Sequence, residues 1–316
     1  MPESYSLTDL TLLRPTLDRL YETFNYADSA ADPIQIVRRF GRSDDREVVG
    51  FCAAAIAFGR VSSVMQSIER LVAIMGERPA EYVRAFDPDR ERRAFDGFVH
   101  RWTREADAVA LVWVLKQMLD RSGSIEQFFV DGDAGAADDV ESALERFSER
   151  ARALDRRRAY GRRLRPSTRS APGLDYFFPR PSSGGGCKRL NLFLRWMVRK
   201  DALDLGVWRR VSPSRLVVPL DTHVIRVGRC LGLTRYTSPG WAMARDITAS
   251  LRQLDPADPV KYDFSLCHLG MMNACAFGRP AATRGRPAAP SQCPLGGLCA
   301  PRARKRRRSP RPSARP

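Results

Sequence analysis

Three absences narrow what this 316-residue chain can be. No stretch is long and apolar enough to cross a bilayer, which takes about 20 residues, so no membrane span is expected. The opening "MPESYSLTDL" has no basic segment followed by an apolar run. No secretory signal is therefore expected, and the chain reads as cytoplasmic. Strand signals are nearly absent too: the short apolar run "RLVVPL" is interrupted by Pro219, so the expected fold is all-α. Acidic residues are in deficit, 36 against 53 basic ones, for a net charge of +17. That imbalance favours a polyanionic partner, nucleic acid or an anionic membrane surface. The last segment, 302–316, holds eight basic residues and no acidic one, yet the rest of the chain keeps about +9. Seven cysteines, an odd number, argue against a disulfide framework in a cytoplasmic chain. Four of them lie between Cys267 and Cys299.

What is present is mostly helical pattern. "SLTDLTLLRPTLDRLYETFN" has apolar residues at helical spacing, with Pro15 as a boundary or kink. "DREVVGFCAAAIAFGR" is almost wholly apolar and predicts a buried helix, broken near Gly59. In "DAVALVWVLKQMLDRSGSIEQFF" Gly123 reads as a C-cap and Ser124 as the N-cap of a short helix. The chain divides into a helical region over 1–155, a basic, aromatic and Gly-rich connector over 156–186, a helical core over 187–275, a cysteine-bearing segment over 276–301 and the basic tail. The connector, with Arg162, Arg163 and Arg165, is either a solvated linker or a loop lying on a phosphate backbone.

Two motifs carry chemistry. In "GGGCKRLNLFLRWMVRK", Gly184, Gly185 and Gly186 lead into a helix whose first turn holds Lys188. Such a turn can bring backbone N–H groups to an anion, though three glycines also suit a flexible linker. A cation in the first turn opposes the helix dipole; Lys188 is either a surface charge or an amine placed for use. In "VVPLDTHVIRVGRCLGL", Asp221 precedes an apolar helix and reads as its N-cap. His223 and Arg226 project near that helix start, where either can meet an anion.

Together these stretches resemble the helix-hairpin-helix base-excision DNA glycosylase superfamily (HhH-GPD), which includes endonuclease III. The residues that carry the resemblance are Asp221, Thr222, His223, Val224 and Arg226 for the aspartate segment, and Gly184, Gly186 and Lys188 for the hairpin and nucleophile. Asn191 falls on the family's asparagine three residues past the lysine. Through "CKRLNLFLRWMVR", "LDLGVWRRVSP", "VPLDTHV" and "DPVKYDFSL" the whole chain also resembles a group of bacterial proteins without an assigned activity. There are departures. Lys188 and Asp221 lie 33 residues apart, wider than in endonuclease III, and the extra residues include "DALDLGVWRR". "SSGGGC" lacks the usual Leu-Pro opening of the hairpin.

The resemblance implies a two-lobed helical fold with a cleft between the lobes. It implies a DNA repair glycosylase acting on a flipped damaged base, with or without lyase activity. Asp221 would stabilise positive charge developing on the sugar, and an uncharged Lys188 amine would attack the anomeric carbon. Gly184, Gly185, Gly186, Arg189, Asn191, His223, Arg226 and the connector arginines would contact double-stranded DNA, with the protein a monomer at the nucleoid. Endonuclease III also holds a four-iron, four-sulfur cluster. Here Cys275, Cys293 and Cys299 match three ligands, but Pro290 stands at the expected second one, so Cys267 or His268 would have to complete a site. A degenerate site packed as apolar thiols is the competing reading. Trp196, Trp208, Tyr262 and Phe264 lie near the motif, where each is either a core residue or one that stacks on a base. A binding module that keeps the fold without chemistry shares all of these features and parts from the enzyme only at Lys188 and Asp221. A membrane-surface or ribosome-associated basic protein would rest on the tail alone.

Overall fold

The computed structural model describes residues 10–27, 32–133, 135, 137–160, 173–271 and 294–295. These form fifteen α-helices with short 3-10 turns and one two-stranded hairpin, so the expected all-α class stands. The first half comprises α1 (Leu10–Phe24), α2 (Ile34–Arg38), α3 (Ser43–Ala55), α4 (Val61–Met75), α5 (Pro79–Ala85), α6 (Pro88–Glu91), α7 (Glu105–Ser122), α8 (Ile125–Val130) and α9 (Glu141–Arg152). Strands β1 (Val99–His100) and β2 (Thr103–Arg104) pair antiparallel just before α7. The second half adds α10 (Arg157–Tyr160), α11 (Leu174–Phe177), α12 (Lys188–Val198), α13 (Thr222–Cys230), α14 (Trp241–Leu254) and α15 (Asp263–Met271). No helix of the described residues is long and apolar enough to cross a membrane.

Local chemistry sets these boundaries. Gly123 ends α7 with φ +81°, and the Ser124 hydroxyl accepts from the Gln127 N–H at 3.0 Å to start α8. In α4, Val64, Ile68, Leu71 and Met75 recur at helical spacing and form its buried stripe. Helix α1 runs through Pro15 rather than stopping there.

Two packing relations place the site. Helix α12 lies on α3, and Gly50 permits the close approach: a Cβ there would stand 2.9 Å from the Met197 side chain. Helix α13 packs on α15, and α1 packs on α14 and α15. The Tyr262 hydroxyl donates to Asp18 at 2.6 Å and Lys261 pairs with the same carboxylate at 3.1 Å. Buried apolar side chains form one continuous cluster from Leu13 in α1 to Leu269 in α15.

Candidate active site

The glycine turn is anchored through the Gly184 carbonyl and through Gly186. Gly184 adopts φ +81°, a conformation that favours glycine. Its carbonyl accepts from the Trp241 N–H at 3.1 Å, and a Cβ on Gly240 would fall 2.7 Å from that oxygen. Gly186 sits against Leu220, where a Cβ would come within 3.3 Å. The Asn191 side chain, 1% exposed, donates back to the Gly186 carbonyl at 3.3 Å. The packing of Gly186 on Leu220 fixes the register of two distant segments. Lys188 follows Gly186 by two residues and Asp221 follows Leu220 by one, so this contact brings together two segments that 33 residues separate in the chain. Lys188 starts α12 after Cys187, which takes a left-handed φ of +45°.

Asp221 is the N-cap of α13, as its sequence position implies. Its Oδ1 accepts from the N–H groups of His223 and Val224, both at 2.8 Å. Its Oδ2 takes no part in capping and accepts from the Cys267 thiol at 3.2 Å. Burial and the neighbouring carboxylates Asp221 and Asp263 push the Cys267 thiol well above its ordinary value, so it stays a proton donor.

Lys188 and Asp221 line one cavity, of about 170 Å³. Among the described residues Lys188 has no ion pair. Phe58, Leu192, Phe264 and Met271 supply apolar wall, and Asp32, Arg195, Asp263 and His268 supply polar groups. Asp263 was not singled out in the sequence. It is 2% exposed; its Oδ2 accepts from Arg195 at 2.7 Å and its Oδ1 has no hydrogen-bond partner. Burial pushes its carboxyl up to about 6, against the pull of Arg195 and with the help of the Asp221 charge.

The wide interval between lysine and aspartate has a structural use. "DALDLG" folds back along α12, with backbone N–H groups of Leu205 and Gly206 donating to the Trp196 carbonyl at 2.9 and 3.3 Å. The fold-back delivers Asp204, whose side chain is fully buried, to Arg195 at 3.2 Å and to Arg199. Arg195 thus bridges Asp204 to Asp263 and ties the helix carrying Lys188 to the helix lining the far wall.

The other expected residues are distributed unevenly. Arg189 is turned inward: it donates to the carbonyls of Ala55 and Tyr176, and burial lowers it to about 10. Arg226 donates to the Gly270 carbonyl, and His223 packs against Gly270, so both brace α13 on α15. Gly184 and Gly185 are exposed. Of the aromatics, Trp196, Trp208 and Tyr262 are core residues, whereas Phe264 lines the cavity and stacks on His268 at 5.7 Å. Arg162, Arg163 and Arg165 lie outside the described residues, as do Cys275, Pro290, Cys293 and Cys299. Among the described residues no group of three or more His, Cys, Asp or Glu is arranged to hold a metal. Cys267 and His268 both line the Lys188–Asp221 cavity, with the thiol engaged by Asp221 and the imidazole packed on Phe24 and Phe264.

Fold and cavity together define an all-α protein with a lysine, three aspartates and aromatic walls converging on one site. Over residues 32–272 the chain matches the model of a family described as "Protein of unknown function (DUF2400)", and it belongs to that family. The match spans every cavity-lining residue, from Asp32 to Met271, and stops short of Cys275 and the basic tail. No curated protein and no solved structure matches the chain.

Proposed function

We propose that the protein is a DNA base-excision glycosylase whose Lys188 gives it lyase activity, working in a two-lobed helix-hairpin-helix arrangement. The observation that carries the reading is the convergence of Lys188 and Asp221, distant in sequence, on one cavity with aromatic walls. The partner is double-stranded DNA with a damaged base, met at the nucleoid in the cytoplasm by a monomer. The net charge of +17 supports a polyanionic partner.

In this reading the damaged nucleotide leaves the stack, at a cost of a few kcal/mol, and the base enters between the Phe58 and Phe264 walls. As the N-glycosidic bond breaks, the base takes the bonding electron pair and the sugar gains positive charge. The Asp221 Oδ2 and Asp263 carboxylates face that charge and stabilise it. Asp221 takes a proton from the Lys188 ammonium, and the free amine attacks the anomeric carbon. Ring opening gives a Schiff base, from which elimination breaks the strand.

Base release from a panel of damaged duplexes tests the reading. The unaltered chain is expected to release at least one lesion base. Asp221→Asn should lower the rate by about 100-fold or more, the scale seen when an electrostatic group is removed from an active site. Release that survives Lys188→Ala assigns the attack to water activated by Asp221. No release from any lesion, with duplex binding retained, assigns the fold to a binding module.

A further inference from the structure

Outside the cavity, the least expected feature is the tip of the β1–β2 hairpin. Val99–His100 and Thr103–Arg104 pair, leaving Arg101 and Trp102 as a two-residue turn. Arg101 takes φ +57°, as such tight turns require. The turn holds Trp102 outward, with 48% of its surface open, while the other four tryptophans are at most 9% exposed. Trp102 stacks on Phe58 with ring centres 4.6 Å apart and planes at 18°. Tyr176, 54% exposed, meets its edge at 5.3 Å. The Arg189 guanidinium lies 5.1 Å from the Tyr176 ring and 5.3 Å from Phe58, bracing the assembly from within.

This aromatic group is continuous with the cavity. Phe58 and Gly59 line it, and the Arg101 side chain lies against Gly59, 3.6 Å from where a Cβ would stand. Arg101 and Arg104 flank Trp102 in the chain and are exposed, as is Arg60 next to Gly59, and none of them has an ion pair among the described residues. Single exposed aromatics are common on protein surfaces. Two in edge contact, one of them on a preset turn and stacked on the cavity-lining Phe58, with exposed arginines on either side of it in the chain, offer a flat π surface beside positive charge. That is the chemistry that holds an unpaired base and its phosphate.

We infer that Trp102 and Tyr176 form a stacking platform for an unpaired nucleobase of the strand whose neighbouring nucleotide occupies the Lys188–Asp221 cavity. The inference rests on the nucleic-acid reading of that cavity but makes a separate demand: affinity for unpaired bases must depend on a π face at position 102. The phosphate on that base would meet Arg101 and Arg104, and the hairpin would keep the base from restacking.

The test uses the full chain and its Trp102→Ala, Trp102→Phe and Trp102→Leu variants, titrated at matched salt with a short single-stranded oligodeoxyadenylate. The same sequence as a duplex serves as reference. Binding should quench the exposed tryptophan fluorescence of the unaltered chain. Trp102→Ala should lose about 5- to 150-fold in affinity for the single strand, the equivalent of one stacked base. Trp102→Phe should recover most of the loss and Trp102→Leu should not. Equal single-strand affinity for the Phe and Leu variants, or for Ala and the unaltered chain, overturns the platform. The two readings fail differently. If only the platform is wrong, the unaltered chain still attacks damaged DNA through Lys188, but binding shows no dependence on Trp102. If only the cavity reading is wrong, quenching and its Trp102 dependence persist with no chemistry at Lys188.

Discussion

Asp221 does two things with two oxygens, and the division can be tested by substitution. Oδ1 caps α13 through two backbone N–H groups, while Oδ2 faces the cavity and the Cys267 thiol. Asparagine caps a helix about as well as aspartate. Asp221→Asn is therefore expected to keep thermal stability within about 0.5 kcal/mol while losing base release, whereas Asp221→Ala should also lose about 0.5–2 kcal/mol. Equal activity of Asp221→Asn and the unaltered chain would reduce Asp221 to a cap. Asp263 has a pH signature. Its carboxyl, pushed up to about 6, holds its proton below that value and releases it above. A site that needs its negative charge should therefore gain rate as pH rises through about 6, and Asp263→Asn should flatten that limb and slow release. Folding follows the opposite sign: a carboxyl raised in the folded state favours folding at low pH, and this contribution fades as pH rises through about 6. Lys188 and Asp221 were legible in sequence because each stands inside a contiguous motif. Asp263 was not, because "KYDFSL" reads as an ordinary helix start and its carboxyl reaches the cavity only through the packing of α13 on α15.

At the scale of elements, the site depends on how α12 is held at both ends. Its entry rests on the glycine turn against α14. Gly240→Ala would drive a Cβ toward the Gly184 carbonyl, a clash with backbone that cannot swing aside. A loss of about 1–3 kcal/mol is expected in chemical denaturation, with base release falling beyond what the stability loss explains. The far end of α12 is held by Arg195 and Arg199 on Asp204. Asp204→Ala leaves two buried guanidinium groups short of a partner and should cost about 3–5 kcal/mol; a change below about 1 kcal/mol would show that Asp258, which also pairs with Arg199 at 2.8 Å, and Asp263 hold the helix without it. Helical pattern gave away α1, α3, α7 and the caps at Gly123 and Ser124. The Asp204 network was invisible, because the added interval in "DALDLGVWRR" carries no period and gains meaning only when the chain folds back along α12. The hairpin was equally silent: "VHRWTR" is too short for a strand pattern to register.

For the whole molecule, the proposed glycosylase reading assigns encounter with DNA to charge and chemistry to the cavity. The tail over 302–316 carries eight of the basic residues and lies outside the family match, while the rest of the chain stays near +9. Truncating the tail is expected to weaken duplex binding and to lower the slope of log affinity against log salt by about 0.9 for each phosphate that the tail neutralises. Base release at saturating DNA should be unchanged. An unchanged salt slope would place the binding charge wholly on the body. The most direct measurement of the Lys188–Asp221 chemistry is borohydride trapping on damaged duplexes, with the attached peptide located by mass spectrometry. The expected result is a covalent protein–DNA adduct on Lys188, absent in Lys188→Ala and strongly reduced in Asp221→Asn. An adduct on another residue, or no adduct from any lesion, would contradict it.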